Sequence, residues 1–191
     1  MSKETIWRYL KQNTKLPDVS IAGIMGNMEA ESNCESCRLQ GDFSVDRTTS
    51  KAYAQMVNNG TYTSFANDAK GWGLAQWTFN SRKQNLLSSC KSQGKGIEDE
   101  EAQLAFMLAE MQSEYPATWK ALLSAQDIAT AAYVVCVNYE KPAVNNTAIR
   151  TSLGQKIYDQ FHDTPVEPPA NNIQEIISHL EAIIQLLKEM S

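Results

Sequence analysis

The chain has 191 residues, 42% of them hydrophobic and 20% charged, with a net charge of −5. That suits one sizeable globular domain with an appendage. An acidic chain lacks the clustered Lys and Arg that nucleic acid demands, and no run of about 18 apolar residues is present to span a membrane.

The N-terminal stretch is polar, with Trp7 and Tyr9 but no apolar core of the kind a secretory signal carries. The chain is therefore expected in a host cytoplasm before release to the cell wall, or outside the cell or on a phage particle by another route. A first helix is expected over 5–16. Pro17 ends it, because the residue before a proline avoids the α region. Asp18 is then the expected N-cap of the next helix.

That next helix, 21–33, organises the chain. Ile21, Ile24, Met25 and Met28 recur at helical spacing. Gly23 and Gly26 cost helix stability, and two of them in one turn imply that another backbone comes close. The helix ends in two carboxylates, Glu29 and Glu31. An acid at a buried helix end is held in its neutral form by desolvation, which is what a general acid needs. The two glutamates point about 200° apart on a helix, so they cannot both face one cleft, and periodicity does not choose between them.

Residues 32–46 read as loop, followed by a short helix over 50–57 that Asn58-Asn59-Gly60 stops. A short strand or hairpin is expected within 61–70, around Tyr62 and Phe65. Then comes Gly71-Trp72-Gly73-Leu74-Ala75-Gln76-Trp77-Thr78. Its glycines allow close backbone approach. Trp72, Gln76 and Trp77 are residue types that hold a sugar, flat rings against pyranose faces and an amide against hydroxyls. The bland reading makes the tryptophans core.

Helices follow over 80–93, 99–113 with an acidic first turn, 117–125 after Pro116, and 128–137 behind Asp127. The last of these is apolar all round and is expected to be central. Asn138-Tyr139-Glu140-Lys141-Pro142 ends it, and 146–161 closes the domain. Residues 164–171 form a stiff Pro-rich linker. Beyond it, Ile173, Leu180 and Leu187 fall seven apart, as do Ile176, Ile183 and Met190. These are heptad a and d positions, and Leu at a with Ile at d favours more than two strands. A helix of this length is marginal alone, so 172–191 is expected to assemble the chain into a homo-oligomer.

Of the four cysteines, Cys34 and Cys37 form a C-x-x-C without the second pair or nearby histidines that zinc requires. They read as ordinary thiols, or as a disulfide in an oxidising setting. No metal and no cofactor are expected.

Glu31-Ser32, Gly73-Leu74-Ala75-Gln76 and the apolar helix ending in Tyr139-Glu140-Lys141-Pro142 occur in that order. The set resembles the lysozyme-like superfamily of goose-type lysozymes and lytic transglycosylases. The resemblance is strongest to the phage tail lysozyme family, which Phe65-Ala66-Asn67-Asp68 and Ser81-Arg82-Lys83-Gln84 also match. It covers roughly 5–162. It implies a mainly α, lysozyme-like domain over 1–163 that cleaves the β-1,4 bond after N-acetylmuramic acid in peptidoglycan, as in a phage endolysin. It also implies that the acid preceding Ser is the catalytic one, which selects Glu31 to protonate the leaving oxygen and leaves Glu29 at the cleft edge. Gln76, Trp72, Trp77 and Tyr139 would position the glycan.

Goose-type lysozymes carry aspartates on both sides of the glycine-leucine segment. Here Asp68 stands before it, but Thr78 follows it. Asp68 is thus the candidate to activate water, with Asp42 and Asp46 as weaker ones. Without any of them the reaction becomes that of a lytic transglycosylase, in which the sugar's own 6-hydroxyl forms an anhydro product. Two other classes stay in view: a glycan-binding module that does not cut, and a cysteine amidase using Cys34 or Cys37 with His162.

Overall fold

A computed structural model of the chain describes residues 3–165 and 170–189. It is mainly helical. The helices are α1 Lys3–Asn13, α2 Asp18–Ser32, α3 Thr48–Asn58, α4 Asn80–Ser92, α5 Glu100–Glu114, α6 Pro116–Ser124, α7 Ile128–Val134, α8 Thr147–Phe161 and α9 Ala170–Glu189. A short 3₁₀ turn covers Phe65–Asn67, and a π-helical turn, Val135–Glu140, follows α7.

The centre is α2. From Ser20 to Met28 every residue is buried, and the helix packs on α8, α7, α1 and the π turn. Its glycines explain how it gets so close. A Cβ at Gly23 would lie 2.5 Å from the Ala131 Cβ on α7, and one at Gly26 would lie 2.3 Å from the Arg150 carbonyl oxygen on α8. The close approach expected from the two glycines is therefore made to two different helices. The helix expected to be central, 128–137, instead leaves Tyr133 exposed and changes to π geometry at Val135. It flanks α2 rather than forming the hub.

The helix ends follow local chemistry. Asp99 caps α5 by accepting from the Ala102 amide at 3.0 Å, and Asp127 caps α7 through the Thr130 amide at 2.7 Å. Asp18 is not the N-cap of α2. That position falls to Pro17, and Asp18 serves as a first-turn acid paired with Lys11. Asn33 closes α2 in the left-handed conformation, which Asn tolerates better than most residues.

No strand forms within 61–70. Among the described residues the extended pairing is limited to isolated bridges, Leu39 to Trp72 and Trp72 to Trp77. The aromatics expected to favour a strand there, Tyr62 and Phe65, instead pack around Tyr53. Of the linker, 166–169 lie outside the described residues, as does Met190.

Candidate active site

The last turn of α2 is tied to the glycine-rich segment. The Ser32 hydroxyl donates to the Leu74 carbonyl at 3.0 Å. Gln103, fully buried on α5, accepts from the Leu74 amide at 2.9 Å and donates to the Ser36 carbonyl at 2.9 Å. Gly73 has φ +72°, and a Cβ there would strike the Gln103 amide. Residues 38–40 run alongside this segment, with Gly73 N donating to Arg38 O at 2.8 Å and Gln40 N to Gly71 O at 2.9 Å.

This construction opens a cleft of about 450 Å³, whose walls include Glu31, Gln76, Phe79, Arg82, Glu140 and Lys141. That is an ordinary size for a ligand site. Two of these residues, Gln76 (φ +44°) and Lys141 (φ +52°), are non-glycine residues held in left-handed conformations. Such strain persists where the surrounding structure enforces it, and it concentrates at functional sites.

Glu31 sits in this cleft with its side chain 21% exposed. Its Oε1 accepts from Arg150 Nη2 at 2.5 Å. Arg150 Nη1 donates to Asn27 Oδ1 at 2.9 Å, and Asn27 donates to the carbonyls of Gly23 and Ala132. Glu31 is thus fixed by a buried relay that joins α2, α7 and α8. Glu29 does not line the cleft. Its Oε1 pairs with Lys3 at 2.6 Å. Gln76 does line it, with its amide nitrogen donating to Arg38 O and Gly73 O at 3.1 and 2.9 Å.

The aromatic residues expected to grip a sugar do not reach it. Trp72, Trp77 and Tyr139 have no exposed surface, so no ring face is presented to a ligand. They form the layer beneath. The Trp72 indole donates to Ile97 O at 2.9 Å. Trp77 Nε1 and the Tyr139 hydroxyl both donate to Glu110 Oε2, at 3.2 and 2.6 Å. Glu110 in turn holds Arg82 in a two-point ion pair of 2.8 and 2.7 Å, and the guanidinium lies 4.4 Å from the Tyr139 ring centre. The exposed ring at the cleft is Phe79, 65% accessible.

Asp68 is also outside the cleft lining. Its carboxylate accepts from Lys83 Nζ at 2.5 Å, from the hydroxyls of Tyr53 and Tyr62 at 2.5 and 3.1 Å, and from the Lys70 amide at 3.0 Å. Burial opposes its charge, and these donors outweigh burial, holding its pKa below the ordinary carboxylate range. Four donors on one carboxylate leave little of it to activate water. Asp42 is likewise spent, on Ser44 and Ser50, and Asp46 turns back on Thr48.

Sequence reasoning passed over Glu140, Arg150, Arg82 and Phe79. Glu140 follows Tyr139 at the end of the π turn. There Lys141 N reaches back to Cys136 O at 2.8 Å, so Tyr139 is directed into the core and Glu140 into the cleft. Burial, and the like charge of Glu31, push the Glu140 carboxyl well above its ordinary range. A Glu at the end of an apolar helix was the signal at Glu31, and the same signal stands at Glu140.

The thiols do not fit a cysteine nucleophile. Burial raises all four, Cys37 and Cys90 to about 11, whereas reactive cysteines are lowered. His162 stacks on Tyr158 and meets Asp163 at the end of α8. Among the described residues, no group of three or more His, Cys, Asp and Glu side chains is placed to hold a metal ion. Likewise no helix is long and apolar enough to cross a membrane.

A polar cleft that sets two carboxyls at the ends of two apolar helices, over a rigid aromatic floor, is the architecture of a glycan-cleaving lysozyme-like enzyme. The chain belongs to the phage tail lysozyme family, whose model matches residues 2–161. At family level it is a phage-associated, lysozyme-like peptidoglycan hydrolase with the all-α fold of that class. No curated protein matches the chain.

Proposed function

We propose that the chain is a muramidase cleaving the β-1,4 bond between N-acetylmuramic acid and N-acetylglucosamine, and that it serves as a phage or prophage endolysin. The observation that carries this reading is Glu31, held by Arg150 in the cleft beside Gln76. Glycosidic cleavage passes through a cationic sugar-like transition state, which needs a proton on the leaving oxygen and negative charge near the ring. The Asp68 cage favours one rival, a lytic transglycosylase, because it withholds the carboxylate expected to activate water. Mass spectrometry of muropeptides released from purified wall separates the outcomes. Reducing-end muramic acid supports the muramidase, a 1,6-anhydro end makes the chain a transglycosylase, and no product makes it a glycan-binding module.

Phe79 takes over the platform role that the buried tryptophans cannot fill. Its exposed ring offers a flat apolar face at the cleft. Phe79→Ala is expected to raise KM roughly fivefold with kcat nearly unchanged, for about 1 kcal/mol of lost uniform binding. Steady-state kinetics on soluble glycan fragments checks this, and a fall in kcat at constant KM would contradict it.

The C-terminal helix is proposed to assemble the chain. Along α9, Ile176, Ile177, Leu180, Ile183 and Ile184 are all at least 39% exposed in the single chain. A stripe of that width in water favours pairing with copies of itself, and several catalytic domains on one bundle gain avidity for a polymeric wall. Light scattering is expected to give an oligomer for the full chain and a monomer for a chain stopped at Asp163. Two monomers would contradict self-association.

A further inference from the structure

The cations of the cleft are not equally free. Arg82 and Lys141 are the two that line it. Arg82 is spent. Glu110 takes its Nε and Nη2 at 2.8 and 2.7 Å, and the Tyr139 carbonyl accepts from its Nη1 at 3.3 Å. Arg150, beside Glu31, is committed to Glu31 and Asn27. Lys141 is exposed, and its ammonium enters no ion pair among the described residues.

The place of Lys141 is fixed all the same. Its backbone N–H donates to Cys136 O at 2.8 Å and closes the π turn. Pro142 follows and bars a right-handed helix from running on. Lys141 is held there at φ +52°, a conformation that only a well-supported site keeps in a non-glycine residue. Its ammonium lies 5.5 Å from the Tyr115 ring centre, and the Arg82 guanidinium lies 5.7 Å from the same ring. Tyr115 packs edge-on against Tyr139 of the cleft floor, 5.1 Å between ring centres. The uncommitted ammonium therefore stands at the Arg82 end of the cleft. A cation–π contact of that length at an exposed site is weak, so the ammonium is open to a stronger partner.

A neutral glycan has no use for such a cation. N-acetylglucosamine offers hydroxyls and an acetamido group, which need hydrogen-bond partners only. Muramic acid adds a lactyl arm. The arm ends in a carboxylate, or in an amide to a stem peptide that brings carboxylates of its own. An anion drawn into a cleft walled by carboxyls and rings needs a cation to meet it.

We propose that Lys141 is a specificity residue of the cleft, its ammonium pairing with a carboxylate borne by the muramyl residue, on the lactyl arm or on the peptide attached to it. The inference rests on the glycan-cleaving reading and adds which strands are taken. Lys141 holds substrate and takes no part in bond breaking. Its loss therefore acts on one class of strand and spares another. A lysine that only balanced the neighbouring glutamates would act on every strand alike.

The test compares three soluble strands with one sugar backbone. Amidase-stripped strands carry the free lactyl carboxylate. Stripped strands capped as the methylamide carry no carboxylate. Stem-bearing strands carry only those of the peptide. The proteins are the full chain, Lys141→Met, Lys141→Glu and Lys141→Arg, with folding read by circular dichroism. Lys141→Met is expected to raise KM at least about tenfold on the strand whose carboxylate is held, the loss of one charge-assisted hydrogen bond, and to leave capped strands within about twofold. Lys141→Glu is expected to turn the preference toward capped strands, and Lys141→Arg to restore most of the wild-type preference. Higher salt is expected to shrink that preference in the wild type and not in Lys141→Met.

A loss on stripped strands assigns the lactyl carboxylate and places the chain after a reaction that hydrolyses stem peptide from glycan. A loss on stem-bearing strands assigns a peptide carboxylate. Equal losses on all three strands, or none on any, overturn the proposal. If the wild type releases no sugar from any strand, the muramidase reading fails on its own. Calorimetric binding of the three strands to the wild type and Lys141→Met then still judges Lys141, and equal affinities throughout overturn its role.

Discussion

Glu31→Gln is expected to lower wall clearing and sugar release by at least about 100-fold, the range associated with losing a proton-transfer group or one preorganised charge in a transition state. That corresponds to roughly 3 kcal/mol or more of transition-state stabilisation. The substitution is close to isosteric, and the amide oxygen can still accept from Arg150 Nη2, so the relay through Asn27 to α7 stays in place. Circular dichroism and melting should therefore stay near wild type while activity collapses.

Glu29→Gln is the matched control. Glu29 pairs with Lys3 outside the cleft lining, so its loss is expected to cost a little stability and little rate. Equal activity losses at the two positions, or a fully active Glu31→Gln, would remove Glu31 from the chemistry.

The contrast between these two glutamates shows what the sequence made legible. Apolar spacing and the paired glycines were enough to mark α2 as a buried helix closely approached by other backbones, whereas the all-round apolar pattern pointed to 128–137 as the centre, and that helix flanks α2 instead. The cap at Asp127 was legible because capping is local, but the same reasoning put a cap at Asp18, where Pro17 holds the position. The choice between Glu29 and Glu31 was not local. It depends on Arg150, 119 residues from Glu31, and on Lys3.

The tryptophans illustrate a different limit. Flat rings between glycines are written alike whether they stack on a sugar or fill a core. What separates the two is their hydrogen-bond partners, Ile97 and Glu110, which lie elsewhere in the chain. Glu110 itself was a readable clue. A glutamate within an apolar helix face, one residue before Met111 and fully used by Arg82, Tyr139 and Trp77, marks a buried polar network. The π turn left no trace in the pattern, because a six-residue change of helical pitch barely shifts apolar periodicity. Glu140 therefore stood in the sequence as part of a motif without a stated job.

Lys83→Ala is expected to destabilise the fold by about 3–5 kcal/mol, the cost of leaving a buried charge without its partner. Lys83 is fully buried and Asp68 nearly so, with side-chain exposures of 0% and 7%. The lysine also donates to Lys70 O at 2.8 Å and lies 4.4 Å from the Phe65 ring centre. Its removal strips one cation and its packing from the knot that anchors 65–70 to α4. Tm should fall by roughly 10 °C for a domain of this size.

The pH dependence identifies the cause. In the wild type the Asp68 pKa is lowered on folding. Its contribution is therefore present above the unfolded carboxyl pKa and is lost as pH falls through the folded value. Without Lys83 the carboxylate is buried with only hydroxyl and amide donors, so the penalty should be largest near neutral pH and should shrink as acid protonates Asp68. A loss of stability that is constant across pH would mean that packing, and not the charge, was removed. Asp68→Asn completes the comparison. It keeps a neutral acceptor for Tyr53 and Tyr62, and its folded fraction should cleave wall at nearly the wild-type rate, because Asp68 does not line the cleft. A folded Asp68→Asn protein with a much reduced kcat would return Asp68 to the catalytic machinery and make Lys83 part of it.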